Sequence, residues 1–186
     1  MLFRSLRENN LKCLPESIGQ LTRLMELDLC ENDFVSLPKS ICQLSGLYKL
    51  LLSKNNLKCL PESIGQLTGL LELHLCENDF VSLPESLGQL TELYAMDVTN
   101  CTRLKSLPIL PIKIDTIRAK GCKSLEMFPD LSRANPVSNL YLQDCFKLSL
   151  NQGFIDNFIA FIRRHPQLSL SLSLTSKQHV FVCFRD

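Results

Sequence analysis

A chain of 186 residues and 21.1 kDa is long enough for one sizeable core and gives no reason to expect several globular units. Twenty Lys and Arg against nineteen Asp and Glu leave a formal net charge of +1, so bulk charge offers no case for a nucleic-acid partner or an anionic membrane. No apolar run approaches the roughly 18 to 20 residues that span a bilayer, and the opening MLFRSLRENN lacks the continuous apolar stretch of a secretory leader. The expectation is an intracellular setting, cytoplasmic or nuclear, with no membrane partner.

From the first residues the chain is repetitive. NNLKCLPESIGQLT occurs at 9–22 and again, unchanged, at 55–68, 46 residues later. Nine cysteines invite a disulfide or metal framework, but the number is odd and no Cys-x-x-Cys pair occurs. Cys13 and Cys59, like Cys30 and Cys76, are 46 residues apart, so they belong to the repeat and not to a cross-linking scheme. Within it a finer period of 23 is visible: Leu21, Leu24, Leu27, Leu29, Asn32; Leu44, Leu47, Leu50, Leu52, Asn55; Leu67, Leu70, Leu73, Leu75, Asn78. The series continues with Leu90, Leu93, Met96, Val98, Cys101, then Ile114, Ile117, Ala119, Cys122, and ends with Val137, Leu140, Leu142, Cys145. A partial unit at the front closes on Asn9. This period and consensus resemble the leucine-rich repeat, in which Asn or Cys holds the last position.

The spacing dictates the structure expected. Alternating x-Leu-x-Leu-x forms a short strand with its leucines turned inward, and stacking units at about 4.8 Å builds a parallel sheet. After the Asn, segments such as Phe34–Leu37–Ile41 return to the same core, and their Pro and Gly leave room for irregular or 3-10 structure rather than a full helix. The Asn column, Asn9, Asn32, Asn55 and Asn78, can satisfy backbone groups in the turn that leaves each strand; Cys101, Cys122 and Cys145 take over that column as smaller, weaker hydrogen-bonding groups. The fold class expected is therefore an α/β solenoid over 1–150, a right-handed arc with strands on its concave face. Residues 151–186 depart from the repeat. Phe154, Ile155, Phe158, Ile159, Phe161 and Ile162 recur at helical spacing up to the stop at Pro166; Leu168, Leu170, Leu172 and Leu174, then Val180, Val182 and Phe184, alternate with other residues and predict two strands. This tail reads as a cap over the last repeat or as the start of a following β-rich domain.

Two stretches carry a narrower resemblance. NCTRLKSLPILPIKIDTIRAKGCKSLEMFPDL at 100–131, followed by LYLQDCFKLSLNQ at 140–152, is similar to the final repeats of plant TIR nucleotide-binding leucine-rich-repeat immune receptors, and the likeness extends over residues 1–152. It implies recognition of a protein: a pathogen effector, a guarded host protein or the receptor's own nucleotide-binding domain. Signalling would be executed by domains that have no counterpart here, since neither a G-x-x-x-x-G-K-[ST] phosphate loop nor a TIR segment is present. The start in mid-repeat predicts a fragment or truncated product. The rival reading is a scaffold of the Ras-group-related repeat type, which shares the L-P-x-x-I-G-x-L units but lacks Cys-rich final repeats.

Outward strand positions form the candidate binding face. One column runs Asp28, Leu51, His74, Asp97, Arg118, Tyr141, and its neighbour runs Glu26, Lys49, Glu72, Ala95, Thr116, Asn139; Glu31, Glu77, Tyr48, Tyr94 and Lys120 complete the set. It is acidic and aromatic in its first half and basic around Arg118 and Lys120. Tyr48, Tyr94 and Tyr141 are the expected anchors, because aromatic side chains dominate interface energetics. His74 beside Asp97 could suggest a catalytic dyad, yet no nucleophile and oxyanion-forming turn converge on it, so no enzymatic chemistry and no cofactor are expected. Three inward thiols without a fourth ligand do not make a zinc site. Asn100-Cys101-Thr102 is a formal glycosylation sequon, expected to be inert in a buried turn.

Overall fold

The computed structural model describes residues 2–129, 137–164, 170–172 and 182–184. Where x-Leu-x alternation recurs, the backbone is extended: β1 (Phe3–Ser5), β2 (Glu26–Asp28), β3 (Lys49–Leu51), β4 (Glu72–His74), β5 (Ala95–Asp97), β6 (Thr116–Arg118) and β7 (Asn139–Tyr141). All seven pair in parallel and in chain order within a single sheet. Parallel neighbours need a crossover, and one repeat supplies it each time. Register joins like to like: Leu27, Leu50, Leu73, Met96, Ile117 and Leu140 are successive partners and all are buried. A single unit could not hide these side chains; stacking buries them.

The return path fills the rest of the core. Phe34 and Phe80 are wholly buried, with Ile41, Leu57, Ile64 and Leu104 beside them. Four 3-10 turns, Glu16–Gln20, Lys39–Gln43, Glu62–Gln66 and Glu85–Gln89, each follow a proline, Pro15, Pro38, Pro61 or Pro84. Proline fixes φ at the entry to each turn and has no N–H to leave unpaired there. Neighbouring turns pack so closely that a Cβ on Gly65 would overlap the Ser86 carbonyl, which is why glycine stands there.

Beyond β7, the α-helix α1 runs Gln152–Arg164. Asn151 caps it: its Oδ1 accepts the Phe154 N–H at 3.0 Å. Phe158 and Phe161 are buried in the same core as the leucine columns, and Phe154 stacks between Phe128 and Phe158 with ring centroids 5.7 and 5.4 Å away. Strands β8 (Leu170–Leu172) and β9 (Val182–Phe184) pair antiparallel, with Leu170 opposite Phe184. Pro166, expected to stop the helix, lies outside the described residues.

Candidate protein-recognition surface

The surface depends on a spine that holds every turn alike. Strands end on a carbonyl that meets two donors, one from its own turn and one from the following coil. Leu29 O accepts the Asn32 amide at 3.1 Å and the Asn55 amide at 3.0 Å; Leu52 O accepts Asn55 at 3.0 Å and Asn78 at 2.9 Å. Each Asn also accepts with Oδ1, from Leu11 N, Phe34 N or Leu57 N in the preceding coil. Then the chemistry changes. Leu75 O accepts Asn78 at 3.0 Å and the Cys101 thiol at 3.2 Å; Val98 O accepts the Cys122 thiol at 3.2 Å, and Ala119 O the Cys145 thiol at 3.1 Å. In these coils the second donor is a backbone N–H, Cys101 N to Val98 O at 3.0 Å and Cys122 N to Ala119 O at 3.3 Å. Burial pushes the Cys101 thiol up to about 11 and Cys145 to about 12, and raises Cys122 as well, so all three keep the proton they donate. Asn9 is exposed, its side-chain amide donating to Arg7 O at 2.7 Å and its backbone N–H to Asn32 Oδ1 at 3.1 Å.

The residue before each spine position, Glu8, Glu31, Lys54, Glu77, Asn100 and Asp144, has φ between 55° and 63°, and Gly121 takes 73°. Side chains there are turned to the edge of the sheet. Asn100 is exposed, so the sequon asparagine does not lie in a buried turn as its sequence position suggested; the turn buries Cys101 instead.

Register confirms the two predicted columns as spatial lines, with Glu26, Lys49, Glu72, Ala95, Thr116 and Asn139 along one and Asp28, Leu51, His74, Asp97, Arg118 and Tyr141 along the other. Lys120 lies on a third line with Ser53, Cys76 and Thr99, and Glu31 and Glu77 on the turn line. Not every member faces out freely. Asp28 is buried, its Oδ1 accepting the Cys30 N–H at 3.0 Å, and Asp97 does the same for Thr99 N at 2.9 Å. These carboxylates brace the strand exit. His74 does not pair with Asp97; its Nε2 lies 3.2 Å from Glu72 Oε2, and Lys49 Nζ is 3.0 Å from the same oxygen. Burial opposes the Glu72 charge, but the Lys49 and His74 bonds outweigh it and its pKa is lowered. Arg118 sits 5.7 Å over the Tyr141 ring, and Glu31 bridges Arg7 and Lys54 at 2.7 and 2.9 Å.

Two apolar positions escaped the sequence reading, Met25 and Leu71. Successive N–H groups of Tyr48 and Lys49 both donate to Met25 O, those of Leu71 and Glu72 to Tyr48 O, and those of Tyr94 and Ala95 to Leu71 O. Two residues opposite one break the alternation, as in a β-bulge, and turn the residue before each strand outward together with its first residue. A rim of Leu2, Met25, Tyr48, Leu71 and Tyr94 results, with Leu71 and Tyr94 42% and 53% exposed. The sequence signal was present, since Met25 and Leu71 differ between the two copies.

Comparison with known proteins decides the family. A family model described as a leucine-rich repeat region matches residues 3–101, more than half of the chain. The chain belongs to the leucine-rich-repeat proteins. It is 35% identical over 89 residues to the disease resistance protein RPP2B of Arabidopsis thaliana, a match covering 45% of this chain and 7% of that protein. Among solved structures, the leucine-rich repeat domain of the type III effector XopL superposes with a TM-score of 0.68 at 23% identity, covering 84% of this chain and 65% of that one. The chain therefore spans a small part of its plant relative and just under two thirds of this structural neighbour. The leucine-rich-repeat fold is typically a non-catalytic protein-binding scaffold. Among the described residues no group of His, Cys, Asp or Glu is arranged to hold a metal ion, and no helix is long and apolar enough to cross a membrane.

Proposed function

We propose that this chain is the recognition module of a plant intracellular immune receptor of the TIR nucleotide-binding leucine-rich-repeat class, and that it binds a protein through its concave sheet. The partner is a pathogen effector, a guarded host protein or the receptor's own nucleotide-binding domain, and residues 151–186 cap the last coil. The carrying observation is that a fixed spine presents two strand-borne columns of differing side chains, with further lines on the rim before them and the turns after them, while sequence change between the two copies gathers on and just before the strands. Similarity to a plant disease resistance protein supports the receptor setting, and the burial of Phe158 and Phe161 in the common core supports the cap. Rigid arrays of this kind suit protein partners because no ordering of the backbone opposes binding. Photo-cross-linking tests the reading. With p-benzoylphenylalanine at position 74, on the sheet, the chain expressed in plant cells should yield a discrete protein adduct, and with the probe at exposed position 58, on the opposite side, it should not. Adducts from 58 alone, or none from 74, would contradict it.

A further inference from the structure

The rim formed by the bulges is a surface distinct from the strand columns. Its backbone is continuous: Met25 N–H bonds Leu2 O, Tyr48 bonds Met25 O, Leu71 bonds Tyr48 O, Tyr94 bonds Leu71 O, and Asp115 bonds Tyr94 O, all at 2.8 to 2.9 Å. Five large apolar side chains therefore stand at strand spacing along about 19 Å. Contiguous exposed apolar surface of this kind marks an interaction site. At its far end the line becomes polar. The Asp115 carboxylate gathers Ser138, Thr116 and Asn139 together with the Tyr94 side chain, which fixes the Tyr94 ring at the end of the stripe.

Glycine shapes the outer side. Two residues before the rim, successive coils carry Arg23, Gly46, Gly69, Glu92 and Lys113, so the stripe is bordered by bare backbone beside Tyr48 and Leu71. Gly46 is required by packing, since a Cβ would lie 2.7 Å from Thr22 O. Gly69 is not: a Cβ there would meet nothing closer than 3.9 Å, and its φ is not one that only glycine favours. Backbone geometry does not explain the absence of a side chain at 69. Together with Gly46 it leaves this border of the stripe low between Arg23 and Glu92.

The stripe's spacing and charge select the occupant. An α-helix returns the same face every 5.4 Å or so, close to the strand spacing of about 4.8 Å, whereas an extended peptide returns it only every 6.7 Å or so and loses register within two steps. Along the sheet line next to the stripe and at its far end, the carboxylates Glu26, Glu72 and Asp115 outnumber the cation Lys49, although the whole chain is slightly basic. We infer that the Leu2–Met25–Tyr48–Leu71–Tyr94 stripe and its glycine trough dock an amphipathic helix of a partner protein, its apolar face on the stripe and basic residues along the flank toward the sheet. This deepens the protein-recognition reading and rests on it.

The probe is a lactam-stapled helix of about thirteen residues, long enough to follow the stripe at about 1.5 Å per residue, with leucines on one face and lysines beside them. Fluorescence anisotropy against the whole chain should show binding about tenfold or more tighter than for a scrambled peptide of the same composition, or for one with glutamates in place of the lysines. Gly69→Arg and Leu71→Asp should each weaken it about tenfold or more, while the thermal melting of both variants stays that of the parent. Equal binding of the scrambled peptide, tighter binding of the glutamate peptide, no binding, or indifference to both substitutions would overturn the helix assignment. An adduct from position 74 accompanied by any of these results would leave sheet recognition standing and remove the rim.

Discussion

In the first four coils an asparagine amide closes each strand exit; in the last three a cysteine thiol does. The amide donates to two strand-exit carbonyls and accepts once, joining two coils, as Asn55 does with Leu29 O, Leu52 O and Phe34 N. The thiol donates once, to the preceding coil, and the backbone N–H of the same residue supplies the missing donor. Yet the strands keep one register through the change at Cys101. What the fold fixes is therefore the need of a buried carbonyl for two donors, and side chains of different chemistry can meet it. The difference lies in reserve: the asparagine half has bonds to spare, and the cysteine half depends on a single proton per coil.

Breaking the asparagine half should have the largest effect. Asn78→Ala strips a donor from both Leu52 O and Leu75 O and the acceptor from Leu57 N. Leu52 O keeps Asn55 and Leu75 O keeps the Cys101 thiol, so Leu57 N alone is left unpaired; at about 1 to 3 kcal/mol for that group, with a smaller loss at each carbonyl, about 2 to 4 kcal/mol is expected in urea unfolding. Asn78→Cys should recover part of it, because a thiol can still reach Leu52 O; a cysteine variant no better than alanine would deny the equivalence of the two halves.

A smaller effect separates the halves by pH. Thiol pKa values raised on folding mean that the folded state holds its protons longer than the unfolded one, so this stabilisation is complete below the ordinary value of 9.0 and is lost as pH climbs toward about 11 for Cys101 and about 12 for Cys145. Unfolding free energy should accordingly fall between pH 9 and 11. Buried Cys30 and half-buried Cys76 are raised too, to about 11 and about 12, but neither serves the spine. Cys122→Ala and Cys76→Ala should therefore each remove about one thiol's share of the slope between pH 9 and 11; a slope left unchanged by Cys122→Ala would place the sensitivity outside the spine.

Much of this was legible in the spacing. A 23-residue period fixes which leucines meet, hence the register, and proline at each return foretold the 3-10 turns. Asn and Cys in one column foretold the spine, because only an inward polar position after a strand has that task. What was not legible came from departures from strict alternation. Met25 and Leu71 face outward because of bulges that depend on neighbouring coils, and Asp28 was counted as a contact residue although its carboxylate turns back onto Cys30 N. His74 likewise sits across from Asp97 in register, but its ring reaches Glu72 along its own strand. Position on a strand predicts the face; it does not predict which side chains bend back to the backbone.

The central claim is that the thiols of Cys101, Cys122 and Cys145 continue the hydrogen-bonded spine begun by the asparagines, and infrared spectroscopy of the S–H stretch addresses it without perturbing the fold. Difference spectra between the parent and each single Cys→Ala variant isolate one thiol at a time. Each of the three bands should lie below that of a thiol without an acceptor. Bands at the unbonded frequency would mean that the last coils stack without the spine.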